Sequence, residues 1–222
     1  MIAILLKRKD SVEMINATSI GGTPLQLAVY SKSLPCTKIL LEAAADPNTT
    51  YPEDKIPPLA QAVLFNCPEI AKCILTFKPR IYTSSVNQAI LEDQVEIFEM
   101  LIKQCGNVDQ KDSLGRTSLI YAAECGRSAM CEILLDLGAE IDEEISPGKE
   151  RAGFNALAVA AVFGHLDVVE ILIKRDATCF PPYVLRYKWK NLDAYFQPSV
   201  AKAMRKKIMS KVRKSKYESW RS

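Results

Sequence analysis

Residues 21–30, GGTPLQLAVY, contain the signals for a short helix that follows a tight turn. The two glycines favour the turn. Thr23 is a suitable N-cap, since its side chain can accept a hydrogen bond from a first-turn amide, and Pro24 suits the first helical position, where no N–H donor is needed. The apolar residues that recur at i, i+3 and i+4 share one face: Leu25, Ala28 and Val29. The stretch therefore predicts a helix with one buried side.

Four weaker copies of this phrase return along the chain. They read PPLAQAV, SSVNQAI, TSLIYAA and NALAVAA, at residues 57–63, 84–90, 117–123 and 155–161. Their marker alanines are 34, 27, 33 and 38 residues apart: Ala28, Ala62, Ala89, Ala122 and Ala160. Each copy is followed by a second apolar helical pattern, such as TKILLEAAA after the first and DVVEILIKRDA after the last. The chain thus repeats a pair of helices with a period near 33 residues.

A period near 33 with two antiparallel helices per unit resembles the ankyrin repeat. The match is best at residues 112–144, where these residues stand at the family's positions: Asp112, Gly115, Thr117, Leu119, Ala122, Ala123, Gly126, Leu134, Leu135, Gly138 and Ala139. Residues 153–177 match nearly as well. The family's His two residues after the Pro is absent from every copy, and Gln26 takes its place in the first. The resemblance implies an all-α solenoid of helix pairs with turn or hairpin loops, in which stacking buries the apolar faces.

The resemblance predicts a repeat array over residues 1–180. It consists of a partial unit at 1–18 and units near 19–49, 50–79, 80–110, 111–144 and 145–178. Residues 181–198 contain an aromatic segment that can fold back as a C-terminal cap, and residues 199–222 are predicted to form a basic amphipathic helical tail. Two long loops, 49–58 and 143–153, are insertions of the kind that project from one face of such an array.

Charge divides the chain into an acidic body and a basic tail. Residues 1–180 hold 17 Lys and Arg against 24 Asp and Glu, a net charge of −7, whereas residues 181–222 hold 12 against 2, a net charge of +10. Basic residues surround a stripe of Val200, Met204, Ile208 and Val212 in the tail: Lys202, Arg205, Lys206, Lys207, Lys211, Arg213 and Lys214. This pattern is compatible with a solvated helix, a nucleic-acid or nuclear-import contact, an anionic membrane or partner-helix contact, or a contact with the acidic body.

The sequence argues against an enzyme. Its one histidine, His165, stands at the Gly-His position that the resemblance assigns to structure, and no glycine-rich phosphate loop occurs. The seven cysteines lack zinc-knuckle spacing and are expected to be small buried hydrophobes in a reducing compartment. We expect no cofactor, no metal site and no small-molecule substrate.

No apolar run reaches the roughly 18 residues of a membrane span, and the N-terminus does not resemble a secretory signal, so an intracellular location, cytoplasmic or nuclear, is expected.

The resemblance implies that a partner protein or peptide binds the concave surface formed by the turn tips and the ends of the first helices. One row of that surface would be Tyr30, Leu64, Leu91, Glu124 and Val162, and the next Ser31, Phe65, Glu92, Cys125 and Phe163. The turns before two of the helices add Arg116 and Phe154. Leu64, Leu91 and Val162 can instead pack between units. The predicted function is a non-catalytic protein–protein adaptor, and the alternatives are a nucleic-acid- or chromatin-associated factor or a membrane-peripheral effector that uses the tail.

Overall fold

A computed structural model describes residues 15–18, 21–49 and 56–177 of the chain. The predicted partial unit at the N-terminus lies almost wholly outside these residues, and so do the cap at 181–198 and the basic tail. The chain divides into two compact units, Met1–Gly106 and Asn107–Ser222. Within the described residues of both units the secondary structure is helical, which confirms the predicted all-α class.

The first unit contains three helix pairs in its described part. They are α1 (Pro24–Tyr30) with α2 (Leu34–Glu42), α3 (Pro58–Leu64) with α4 (Pro68–Leu75), and α5 (Thr83–Leu91) with α6 (Val95–Gln104). The first helices pack on one another in the order α1, α3, α5, and the second helices pack in the order α2, α4, α6. Two layers of helices therefore stack side by side, and the apolar core lies between them.

The second unit repeats this arrangement with two described pairs. They are α7 (Ser118–Glu124) with α8 (Ser128–Asp136), and α9 (Ala156–Phe163) with α10 (Leu166–Lys174). Helix α7 packs on α9, and α8 packs on α10. Every residue from Ala156 to Ala161 is buried, because α9 is covered on several sides by its neighbours.

The opening phrase folds as its residues predict. The Thr23 hydroxyl accepts a hydrogen bond from the Gln26 N–H over 3.2 Å, and the Gln26 Oε1 accepts one from the Thr23 N–H over 3.0 Å. These reciprocal bonds form a capping box, and Pro24 occupies the first turn. Leu25, Ala28 and Val29 are buried, as their shared face requires. Thr117 and Asn155 cap α7 and α9 through single bonds, since their side-chain oxygens accept from the Ile120 and Ala158 N–H groups over 3.3 and 3.0 Å.

The insertion at 143–153 packs on its own unit at both ends. The Ile145 N–H donates to the carbonyl of Phe154 over 2.9 Å, and the Ser146 N–H donates to the carbonyl of Gly115 over 3.0 Å. The buried side chain of Ile145 anchors the same segment. Only the tip, residues 147–150, is exposed, so the projecting part of this loop is shorter than its length in the sequence suggests.

The expectation that the cysteines are buried was wrong for five of the six that the structure describes. Only Cys131 is buried, whereas the partly exposed ones are Cys36, Cys67, Cys73, Cys105 and Cys125. Burial raises the pKa of the Cys131 thiol to about 12, with smaller contributions from Cys125 and Glu132. Three of the partly exposed cysteines stand at helix ends rather than within helices: Cys67, Cys105 and Cys125. Cys36 and Cys73 lie in helices but off the buried face, whereas Cys131 lies on it.

Candidate interaction surface

Three large apolar side chains in the first unit are exposed at the same position of successive helices. Tyr30, Leu64 and Leu91 are the last residues of α1, α3 and α5, and they are 67%, 46% and 47% exposed. The helices that carry them are otherwise packed through buried neighbours such as Val29, Val63 and Ile90. Leu64 and Leu91 could instead have been buried between neighbouring repeats. About half of each residue is exposed to solvent, so they are not buried there. We call these three residues the apolar row.

One member of the apolar row, Tyr30, packs against Phe65. The ring of Tyr30 meets the ring of half-buried Phe65 edge to face, with centroids 5.7 Å apart and an interplanar angle of 79°. The Lys32 Nζ lies 5.8 Å from the centroid of the Phe65 ring and donates to the Phe65 carbonyl over 3.2 Å. Phe65, which was predicted as a partner contact, therefore also contacts Tyr30 and Lys32 of the preceding repeat.

The other predicted residues of the first unit lie directly after these helices. Ser31 is exposed, and its hydroxyl donates to the Ala28 carbonyl over 3.1 Å. Glu92 is exposed, and its Oε1 accepts a hydrogen bond from the Gln88 Nε2 over 3.1 Å. The Gln94 Nε2 donates to the Val63 carbonyl over 2.9 Å, which ties the turn after α5 to the end of α3. The same helix end thus receives a side-chain donor from each neighbouring repeat.

In the second unit, Glu124 is the centre of an ion-pair network. Its Oε2 accepts a hydrogen bond from the Arg116 Nη1 over 2.7 Å, and its Oε1 accepts one from the Arg151 Nη1 over 3.1 Å. The Glu124 side chain is 18% exposed and that of Arg116 is 15% exposed. These two predicted contact residues are therefore mainly engaged with each other.

Arg116 also binds Asp112, four residues before it. Its Nε and Nη2 donate to the Asp112 Oδ2 over 3.0 and 2.8 Å, and its guanidinium lies 4.3 Å from the centroid of the Tyr121 ring. Burial by itself would raise the pKa of Asp112, but hydrogen bonds from the backbone and guanidinium of Arg116 outweigh it and lower that pKa. The arginine therefore organises the turn that precedes α7.

Arg151 joins the 143–153 loop to the predicted contact residue Phe163. Its guanidinium lies 4.8 Å from the centroid of the Phe163 ring, which is itself 39% exposed. Val162 and Phe154 are half-buried. Sequence reasoning missed Arg151 because it lies 27 residues from Glu124, within an insertion whose path the repeat pattern does not specify. The only feature of the sequence that could have pointed to Arg151 as a site residue is its position in a long insertion.

His165 has the structural role that its position predicted. Its Nε2 lies 2.9 Å from the Glu124 carbonyl oxygen, and its ring stacks on Phe163 with a centroid separation of 6.3 Å. Gly126 packs so closely on this ring that an added Cβ would lie 2.5 Å from the His165 Nδ1. The contact fixes the turn after α7 against the start of α10.

A cleft of about 640 Å³ lies beside the 143–153 loop. It is lined by Lys111, Asp142, Glu143, Glu144, Ile145, Pro147, Ala152 and Gly153. The Lys111 Nζ lies 2.6 Å from the Glu143 Oε1 and donates to the Glu144 carbonyl over 2.8 Å. Within the described ranges, no group of three or more His, Cys, Asp or Glu side chains is arranged to hold a metal ion.

The sequence comparisons agree with this architecture. The family described as ankyrin repeats in three copies matches residues 59–145 and 86–181, and the single ankyrin repeat matches residues 21–51. The chain belongs to the ankyrin-repeat family. Ankyrin repeats are protein-interaction modules that are generally non-enzymatic, and this ankyrin chain contains a protein-interaction repeat domain.

Among the described helices, none has the length and apolar character needed to cross a membrane.

Two curated relatives and one solved structure illustrate the likeness. An ankyrin repeat and KH domain-containing protein of Caenorhabditis briggsae is 35% identical over 178 residues, which are 80% of this chain and 5% of the relative. The glycerophosphocholine phosphodiesterase of Schizosaccharomyces pombe is 28% identical over 158 residues, which are 68% of this chain and 14% of that protein. The ankyrin repeat domain of Bcl-3, described as a member of the IkappaB family, shares the fold with a TM-score of 0.67 and 20% identity, covering 79% of this chain and 80% of that one. The chain thus spans a small part of the curated relatives.

Proposed function

We propose that this ankyrin chain is a non-catalytic adaptor that binds a partner protein through the ends of its first helices. The observation that carries the proposal is the apolar row, Tyr30, Leu64 and Leu91, which is exposed at equivalent positions of three packed helices. Exposed apolar side chains that form a continuous patch are typical of interaction sites, and large residues such as Tyr provide much of the binding energy.

The second unit supports the proposal in a different way. Phe163 is exposed at the end of α9, and its ring contacts both the Arg151 guanidinium and the His165 ring. A side chain that is held in one orientation loses little conformational entropy on binding. The Arg116 and Glu124 network supports this surface from within its own unit, so its effect on a partner is indirect.

The basic tail supplies the alternative functions. Contacts of Lys202–Lys214 with nucleic acid, chromatin or an anionic membrane rest on the charge of the sequence alone, because these residues lie outside the described part of the chain. Deletion of residues 199–222 separates the hypotheses. An adaptor that uses the apolar row keeps its partner after the deletion, whereas a tail-dependent factor loses it.

The test is affinity capture followed by mass spectrometry with the full chain and two variants. Tyr30→Ala/Leu64→Ala truncates two exposed members of the apolar row. Phe77→Ala is the matched control. Phe77 is likewise a large exposed apolar residue, with 41% exposure, but it follows the second helix α4 and so lies outside the apolar row. We expect a partner that the wild type and the control capture and the double variant loses, with all three equally folded by circular dichroism. Capture of the same partner by the double variant would reject the proposal.

A further inference from the structure

The turn after each first helix contains one position that adopts left-handed backbone in both units. In the second unit this position is glycine, Gly126 and Gly164, with φ of 71° and 85°. In the first unit it is Lys32, Asn66 and Asp93, with φ of 53°, 50° and 56°. Glycine adopts this conformation without strain, whereas an L side chain is disfavoured there, less so for asparagine and aspartate than for lysine. Three polar side chains are thus present where glycine would be easier for the fold.

These polar residues form a second row beside the apolar row. Each lies two residues beyond Tyr30, Leu64 or Leu91, and all three are exposed. The ammonium of Lys32 is held at Phe65, so positive charge is fixed at the α1 side. Asn66 is neutral, and Asp93 follows the exposed carboxylate of Glu92, so negative charge lies at the α5 side. The apolar row therefore lies beside a polar row. The charge of the polar row changes from positive at Lys32 to negative at Asp93.

The spacing of the apolar row favours a helical occupant. Packed helices lie about 8–10 Å apart, so equivalent residues on α1, α3 and α5 follow one another at roughly that interval. On a bound α-helix, residues i and i+7 share a face and are about 10.5 Å apart. On one face of a bound strand, residues i and i+2 are about 6.6 Å apart and residues i and i+4 about 13 Å apart. Neither distance matches the spacing of the apolar row as well as the helical one does.

We propose that the first unit docks an amphipathic helix of a partner protein. The apolar residues of that helix, at i, i+7 and i+14, cover Tyr30, Leu64 and Leu91. Its polar edge places an acidic side chain at Lys32 and a basic side chain near Asp93, so charge complementarity sets its direction. The inference rests on the proposed adaptor function and specifies the chemistry of the partner.

Three synthetic helices titrated against the full chain test this inference. All three have the same leucine stripe at i, i+7 and i+14. Their polar edges carry glutamate at one end and lysine at the other, glutamate throughout, or lysine throughout. We expect the mixed helix to bind about threefold to tenfold more tightly than either uniform helix in dilute buffer, and this advantage to shrink at 0.5 M salt (about a 4 Å Debye length). Equal or tighter binding of a uniform helix overturns the inference.

A double variant tests whether the polar row causes the preference. Lys32→Gly/Asp93→Gly removes both charges, and glycine keeps the left-handed backbone without strain. This relief offsets the loss of the exposed contact between Lys32 and Phe65, so the fold is expected to be retained. The preference for the mixed helix should then disappear. Lys78→Gly is the matched control, because exposed Lys78 has a similar φ of 50° but follows the second helix α4, and it should leave the preference unchanged. A double variant that keeps the preference also overturns the inference.

The failure of this inference is distinguishable from the failure of the proposed function. If none of the three helices binds, a helical occupant of the first unit is rejected. The affinity capture with Tyr30→Ala/Leu64→Ala does not depend on any peptide, so it decides separately whether the apolar row binds a partner.

Discussion

The guanidinium of Arg116 donates to the carboxylate of Glu124 over 2.7 Å and so joins the turn before α7 to the last residue of that helix. Both residues were predicted as partner contacts from their positions in the repeat. The structure shows that their charges are satisfied within the unit, with Asp112 and Arg151 as further members of the network. Their substitution is therefore expected to change stability directly.

Replacement of Arg116 by alanine should destabilise the second unit by about 2 kcal/mol, because it leaves the mostly buried carboxylate of Asp112 without its cation and leaves Glu124 paired with Arg151 alone. The control is Arg175→Ala. Arg175 also pairs with an aspartate, Asp136, but these side chains are 44% and 65% exposed, so the loss should be about 0.5 kcal/mol or less. Urea unfolding of both variants measures the difference. Similar losses in the two variants would show that the network around Glu124 adds no stability.

The lowered pKa of Asp112 predicts a pH dependence. A carboxyl group whose pKa is lower in the folded state stabilises the fold above its unfolded pKa, near 3.8, and loses this contribution as the pH falls through the folded pKa. Unfolding free energies at pH 7 and pH 3 should therefore differ more in the wild type than in Asp112→Asn. Equal differences would mean that Asp112 does not contribute to acid sensitivity.

Gln26 should be essential to the capping of α1. Its side chain is buried, its Oε1 accepts the Thr23 N–H, and its Nε2 donates to the Ile56 carbonyl over 2.8 Å. Gln26→Leu removes both bonds and should destabilise the first unit by about 2 kcal/mol. Gln61→Leu serves as the control, since the buried Gln61 Oε1 has no hydrogen-bond partner, and its replacement should be neutral within about 0.5 kcal/mol. Thermal and urea unfolding distinguish the two results.

Alanine substitutions at Gly126 and Gly138 separate two costs. Both substitutions strain the backbone, but only the one at Gly126 also causes a steric clash. Both have left-handed backbone, with φ of 71° and 83°, but an added Cβ at Gly126 meets the His165 ring whereas one at Gly138 meets nothing within 4 Å. We expect Gly138→Ala to destabilise by about 1 kcal/mol and Gly126→Ala by about 3 kcal/mol. Losses of the same size would indicate that the His165 ring moves aside freely.

The repeat, its helix starts and its buried faces could be predicted from the sequence because they depend on local chemistry. Thr23 and Pro24 mark the start of α1 through groups that lie within one helical turn, and the i, i+3, i+4 pattern of Leu25, Ala28 and Val29 determines which side packs inward. A period near 33 residues then places successive pairs side by side. These features need no information about distant parts of the chain.

The tertiary structure alone decided what the candidate contact residues touch. The Lys32 ammonium reaches a carbonyl 33 residues away, and Arg151 reaches the Glu124 carboxylate across 27 residues. Whether a charge is exposed or paired depends on which side chain of the neighbouring repeat lies within hydrogen-bond distance, and the repeat pattern does not specify that. The sequence by itself therefore determined a stack of helix pairs and the positions that face its surface. Only the packing of one pair on the next decided that Tyr30, Leu64 and Leu91 stay exposed, and only the folded path of the turn before α7 decided that Arg116 and Glu124 bind each other.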